Sequence, residues 1–193
     1  MLFGRRWRDS GRNDAVAARK IRLRRIFEDS HEQAWRVLKR LGVPAERLDD
    51  AVQQVFLITA ERLDDIVPGR ERAFVYGVAL HHARNVRRRA WREVLGSEDS
   101  EPDQYATAGP SPEALLDQKQ CAAICTEVLE TMDAPLREVF VLFEIEGLKM
   151  HEIADVVGIP AGTVASRLRR ARSVFRARVT NWGSLPLAAE GGL

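Results

Sequence analysis

The sequence predicts an all-α protein of two small helical domains joined by a flexible acidic linker. Three observations lead there. Apolar residues recur at steps of three and four along most of the chain, with few alternating β-branched runs. Residues 94–112 lose that period, and Gly, Ser, Pro and acids dominate them, the composition of a tether. Residues 147–178, GLKMHEIADVVGIPAGTVASRLRRARSVFRAR, read as two short helices around a tight turn.

A first helix is expected over about 17–41, with Leu23, Phe27, Ala34, Leu38 and Leu41 inward and Gly42 and Pro44 ending it. A second covers about 45–65, with Leu48, Val52, Val55, Phe56 and Leu63 inward. Pro68-Gly69 signals a turn, and a third helix follows over about 71–93 with Phe74, Val78 and Val86. After the linker, Ser111-Pro112-Glu113 resembles a helix start, and a fourth helix runs to about Thr131. Asp133 and Pro135 open the next, whose inner face is Leu136, Val139, Phe140 and Phe143 and whose end is Gly147. In HEIADVVG, Ile153, Ala154 and Val157 share a face, Gly158 can take positive φ, and Pro160 bars continuation. Val164, Leu168, Ala171, Phe175 and Val179 then form one stripe, surrounded by Arg167, Arg169, Arg170, Arg172, Arg176 and Arg178 with no acid among them. These are the parts of a helix-turn-helix DNA reader. A merely solvated basic helix would need both the turn glycine and the uniform charge sign to be coincidence.

Composition bounds the function. The net charge of +2 says nothing about nucleic acid, but residues 5–25 and 167–178 are strongly basic and 93–117 mostly acidic. Local basic blocks suit phosphate contacts. No apolar run approaches the roughly 20 residues of a membrane span. The N-terminal charge is not followed by an apolar stretch, so neither membrane insertion nor secretion is expected and a cytoplasmic location is. Cys121 and Cys125 share a helix face but lack further ligands, and pack as small hydrophobes in this reading. HEIAD begins like a zinc-protease motif but ends in Asp155, and His81-His82 diverge by about 100° on a helix. No metal and no cofactor are expected. Without a nucleophile–base constellation or a phosphate-binding glycine loop, the chain does not read as an enzyme.

Two segments carry a family resemblance. LREVFVLFEIEGLKMHEIADVVGIPAGTVASRLRRAR is similar throughout to region four of sigma factors, and GTVASRLRRAR matches their recognition-helix signature. LDDAVQQVFLITAERLDDI resembles the core-binding helix of region two. In this order and at this spacing, the chain resembles an extracytoplasmic-function sigma factor of the sigma-70 family over about residues 20–180. It departs from the pattern at Lys149, where a capping serine is frequent, and at Ala165, where a basic residue is frequent. Phe74 replaces a common tryptophan, and Gly77 and His81-His82 are unusual.

The resemblance implies a region-2-like domain at 19–93, a linker at 94–112, a region-4-like domain at 113–180 and a tail at 181–193, while the basic extension at 1–18 is not required by the family pattern. It implies core RNA polymerase, promoter DNA and an anti-sigma protein as partners. For the minus-thirty-five element, Thr163, Ser166, Arg167 and Arg170 are candidates at or near bases, and Arg169, Arg172 and Arg176 at phosphates. For the minus-ten element, Phe74 and Tyr76 offer rings, and Arg84, Asn85, Arg87 and Arg88 polar contacts. Asp49, Asp50, Gln53 and Gln54 are the core-polymerase candidates. The rival in another class is a stand-alone helix-turn-helix regulator binding operator DNA. It would carry a sensory or phosphoacceptor domain, for which the helical segment 45–65 lacks the alternating strands.

Overall fold

In a computed structural model, which describes residues 6–96 and 124–183, long α1 (Arg6–Arg40) lies along α2 (Leu48–Glu61) and α3 (Glu71–Gly96). The three helices pack pairwise. Helix α1 starts well before the expected residue 17. Ala-rich, proline-free DAVAARK continues the helix, and Ala15 to Lys20 are exposed. An apolar stripe marks only the packed part of a helix, so the projecting part left no period to read. The helix ends in a Schellman arrangement: Gly42 takes φ 83°, and Val43 N–H reaches back to the Leu38 carbonyl at 3.1 Å.

The second expected helix is three pieces, with 3₁₀ turns at Ala45–Arg47 and Leu63–Asp65 flanking α2. All five of its expected inward residues are buried. In α1 the inner face turns slightly from the expected one. Ile26, Ser30 and Val37 are buried beside Ala34, Leu38 and Leu41, whereas Phe27 remains 44% exposed.

The second half begins with a helical stretch, α4 (124–130). Asp133 is the N-cap residue of α5 (Ala134–Phe140), with Pro135 in its first turn. A π-helical turn, Val141–Ile145, continues α5 before Gly147 at φ 67°. Five successive residues, Glu138 to Leu142, are buried here, which no single helical stripe allows. Then come α6 (Met150–Val157) and α7 (Ala161–Gly183).

Helix α3 packs against α6, and one hydrophobic cluster runs from Ile26 through Tyr76 and Leu142 to Ala171. The halves therefore meet face to face. The expected linker at 94–112 lies almost wholly outside the described residues, as do the 181–193 tail beyond Gly183 and Cys121.

Candidate nucleic-acid interface

The helix-turn-helix is built from local signals. Glu152 accepts a hydrogen bond from the Lys149 backbone N–H at 2.8 Å, closing the start of α6 without a serine cap. Gly158 takes φ 76°, and Ile159 N–H bonds the Ala154 carbonyl at 3.1 Å, turning the chain into α7. Val164, Leu168 and Ala171 are buried, and Phe175 stacks on Phe140 at 4.8 Å. Val179, the last of the stripe, is 40% exposed. That packing turns Ser166, Arg169, Arg170, Arg176 and Arg178 outward, with Thr163 and Arg167 half-buried. Ser166, Arg167, Arg169 and Arg170 line an open cleft of about 860 Å³ against the start of α5.

Arg172 stands apart. Its guanidinium binds Glu144 at 2.5 Å and lies 5.4 Å from the centre of the Phe143 ring, tying α7 to the π turn. Both partners are acquired by folding and neither was legible in the basic run.

In α3 the expected single-strand contacts divide. Phe74 is half-buried against the core, and Arg88 is exposed, with Asn85 Oδ1 accepting from its Nη2 at 2.8 Å. Tyr76 is 0% exposed, so it offers no ring for a base to stack on in this arrangement. Its hydroxyl accepts from Arg72 Nε at 3.3 Å. Burial pushes the phenol up to about 12, helped by the charge of Glu146 and a hydrogen bond with it, and opposed by Arg72. Arg84 and Arg87 point across to α5, where both bind Glu138.

The loop before α3 is held from α1. Arg22 donates to the Ile66 carbonyl at 2.6 Å and to Glu71 at 2.9 Å, and Gly69 N–H donates to Glu71 at 2.7 Å. Burial works against the Glu71 charge, but these bonds and its own backbone N–H prevail and hold its carboxyl below the usual range. Sequence reasoning missed this anchor, because Arg22 and Glu71 are 49 residues apart.

On α2, Asp49, Asp50, Gln53 and Gln54 are all exposed. Asp49 and Gln53 border an open groove of about 730 Å³ floored by Val52 and Phe56, with Phe27 and Leu57 at its rim. Phe27 meets Phe56 edge-on at 4.9 Å and His31 at 4.6 Å. Leu57, 48% exposed, falls off the buried stripe of α2, which was the available signal for an apolar rim here.

The HEIAD residues have other occupations: Glu152 closes the start of α6, and Asp155 pairs with Arg70 at 3.1 Å. His82 gives up its proton more readily than an ordinary histidine, through burial and then the charges of Arg89 and His81. Cys125 is half-buried. Among the described residues no helix is long and apolar enough to cross a membrane.

A helical chain ending in an arginine-faced helix-turn-helix defines a DNA-binding transcription protein, and comparison with known proteins gives the class. The sigma-70 region 4 family model matches residues 124–173. The RNA polymerase sigma factor NccH of Alcaligenes xylosoxydans xylosoxydans is 31% identical over 142 residues, covering 72% of this chain and 76% of that protein. The sigma-E factor of Escherichia coli K12 is 29% identical over 147 residues, with 71% and 76% covered. The solved structure of CnrH in complex with the cytosolic domain of CnrY aligns with TM-score 0.59 and 25% identity over 82% of this chain and 88% of that one. RpoE from Bartonella quintana, in complex with the anti-sigma factor NepR, shares the fold at TM-score 0.67 and 19% identity over 81% of this chain and 96% of that one. The chain belongs to the extracytoplasmic-function sigma factors of the sigma-70 family, and is a transcription initiation factor.

Proposed function

We propose that this chain binds core RNA polymerase and directs it to a subset of promoters, making no covalent chemistry of its own. The observation that carries this is the pairing of two outward surfaces on one chain: the polar face of α2 and the arginine face of α7. Asp49, Asp50, Gln53 and Gln54 meet a basic element of the polymerase. Thr163, Ser166, Arg167 and Arg170 read the minus-thirty-five element, while Arg169 and Arg176 hold phosphates. Arg172 joins them at the backbone once Glu144 releases it. The loop at 64–72 and α3, through Phe74, Arg84, Asn85, Arg87 and Arg88, serve the minus-ten element. The units at work are 19–93 and 113–180, tethered by 94–112. CnrH and RpoE bind CnrY and NepR, which supports an anti-sigma partner here too. A cytoplasmic location follows from work on chromosomal DNA.

Run-off transcription with purified core polymerase over a promoter library tests the reading. Initiation at a subset of templates, dependent on this chain, is expected. Failure to bind core polymerase while still binding duplex DNA would instead indicate an operator-binding regulator.

A further inference from the structure

The two halves of the chain meet across a charged seam. Glu138 of α5 is 3% exposed, yet its carboxylate receives two guanidiniums from α3. Arg84 donates through Nε and Nη2 at 3.2 and 2.7 Å, and Arg87 through Nη2 at 2.6 Å. Arg87 also donates to the Leu41 carbonyl at 2.8 Å, and Arg84 to the Val157 carbonyl at 3.4 Å. A second buried carboxylate, Glu146, binds Arg40 of α1 at 2.9 Å. At the outer edge Asp155 binds Arg70. Each of these pairs takes its acid from the second half and its arginine from the first.

Between them, side chains of the second half pack onto glycines of the first. A Cβ added at Gly77 of α3 would stand 3.7 Å from the Val156 side chain of α6, and one added at Gly42 would stand 2.8 Å from Arg137 Nη1. The arginine face of α7 lies outside this seam: α7 packs on α5 and α6, and Arg169, Arg170 and Arg176 are exposed.

Arg84 and Arg87 are three residues apart on one helix and so share a face. Like charges at that spacing repel unless an anion lies between them. A planar fork of donors from each guanidinium suits either a carboxylate or a phosphate. With the halves apart, Glu138 leaves and the pair opens onto solvent.

We propose that Glu138 is an internal stand-in for a nucleic-acid phosphate: in the closed form it occupies the Arg84–Arg87 pair, and single-stranded nucleic acid gains that pair only when the halves separate. This rests on the reading that α3 meets promoter DNA, and adds that α3 is masked in the free chain while α7 is not. A partner that binds the separated halves better than the closed form shifts the population toward opening.

Glu138→Gln in the full chain removes the carboxylate charge and keeps the side-chain shape. Gly77→Leu leaves the carboxylate and inserts bulk between α3 and α6. Both are followed by solution scattering, circular dichroism and binding of a fluorescent 20-nucleotide oligo-dT strand across a salt series. Each variant should keep its helix content and raise the radius of gyration. Each should steepen the log–log salt dependence by about 1.4, since two freed arginines contribute about 0.7 each on a single strand. That is about tenfold in affinity between 1 M and 0.15 M salt. Adding Arg84→Ala and Arg87→Ala to Glu138→Gln should keep the chain open and abolish the gain. An unchanged radius of gyration in both single variants overturns the latch. Opening without a steeper salt slope overturns the phosphate role. Core-polymerase binding, measured in parallel, reports separately on the sigma-factor reading, because Glu138 and Gly77 lie outside the α2 surface.

Discussion

Asp50→Arg puts the proposed polymerase surface at risk without disturbing the core. Asp50 is exposed and lies in the first turn of α2, where an acid is favoured by the unpaired N–H groups of the helix start. Losing that acid costs about 0.3–1 kcal/mol, and placing a cation there costs a similar amount again. The substitution should therefore destabilise the chain by about 1 kcal/mol, which for a chain of this size lowers Tm by roughly 2–4 °C. Asp50→Asn separates the contributions, removing the charge without reversing it, and should lower Tm by about half as much. At a contact with a basic surface the same arginine sets like charges together, and such juxtaposition costs several kcal/mol. Core-polymerase affinity should fall at least about tenfold, or about 1.4 kcal/mol. Gln54→Ala, on the same face, should weaken binding with little change in melting. Fluorescence-detected binding to core polymerase, beside thermal melting by circular dichroism, reads both quantities. Undiminished affinity in both Asp50→Arg and Gln54→Ala would refute the assignment of α2 and return the operator-binding regulator to consideration.

Arg170→Ala should cost roughly 1–3 kcal/mol in promoter affinity and relax preference at one base pair, seen by binding selection over a randomised duplex library. Arg172→Ala should instead weaken binding evenly across sequences, and should also lower Tm slightly. Its exposed pair with Glu144 and its contact with Phe143 contribute no more than about 1 kcal/mol each. The Tyr76 phenol, raised from 10.0 to about 12, keeps its proton in the folded state when the unfolded chain has lost it. Its contribution is therefore whole below pH 10 and lost as pH rises toward 12, at about 1.4 kcal/mol per pH unit. Tyr76→Phe should lack this component in denaturant melts across that interval. Leu168→Ala, at a buried position of α7, should cost about 2–5 kcal/mol in chemical denaturation and take promoter binding with it.

Much of this molecule could be read from the chain, because helix formation leaves its mark locally. The stripe Val164, Leu168 and Ala171 is buried as the spacing requires, and Gly158 takes the left-handed conformation on which the turn depends. The inward residues of α2 and the opening of α5 at Asp133 and Pro135 follow from equally short-range patterns. Where the pattern fell silent, elements shifted: α1 runs on through unpacked residues, and the π turn at Val141–Ile145 had no signature. What only the tertiary structure decided is which polar side chains are available. Arg84 and Arg87 read as surface cations until Glu138, 54 and 51 residues away, is brought to them. Arg40 finds Glu146 at a separation of 106 residues. Tyr76 becomes wholly buried while Phe27 remains at a groove's edge. Helical periodicity records the apolar face each segment must hide. It carries no record of the distant charge that will meet an arginine, because that pairing depends on how whole helices are laid against one another.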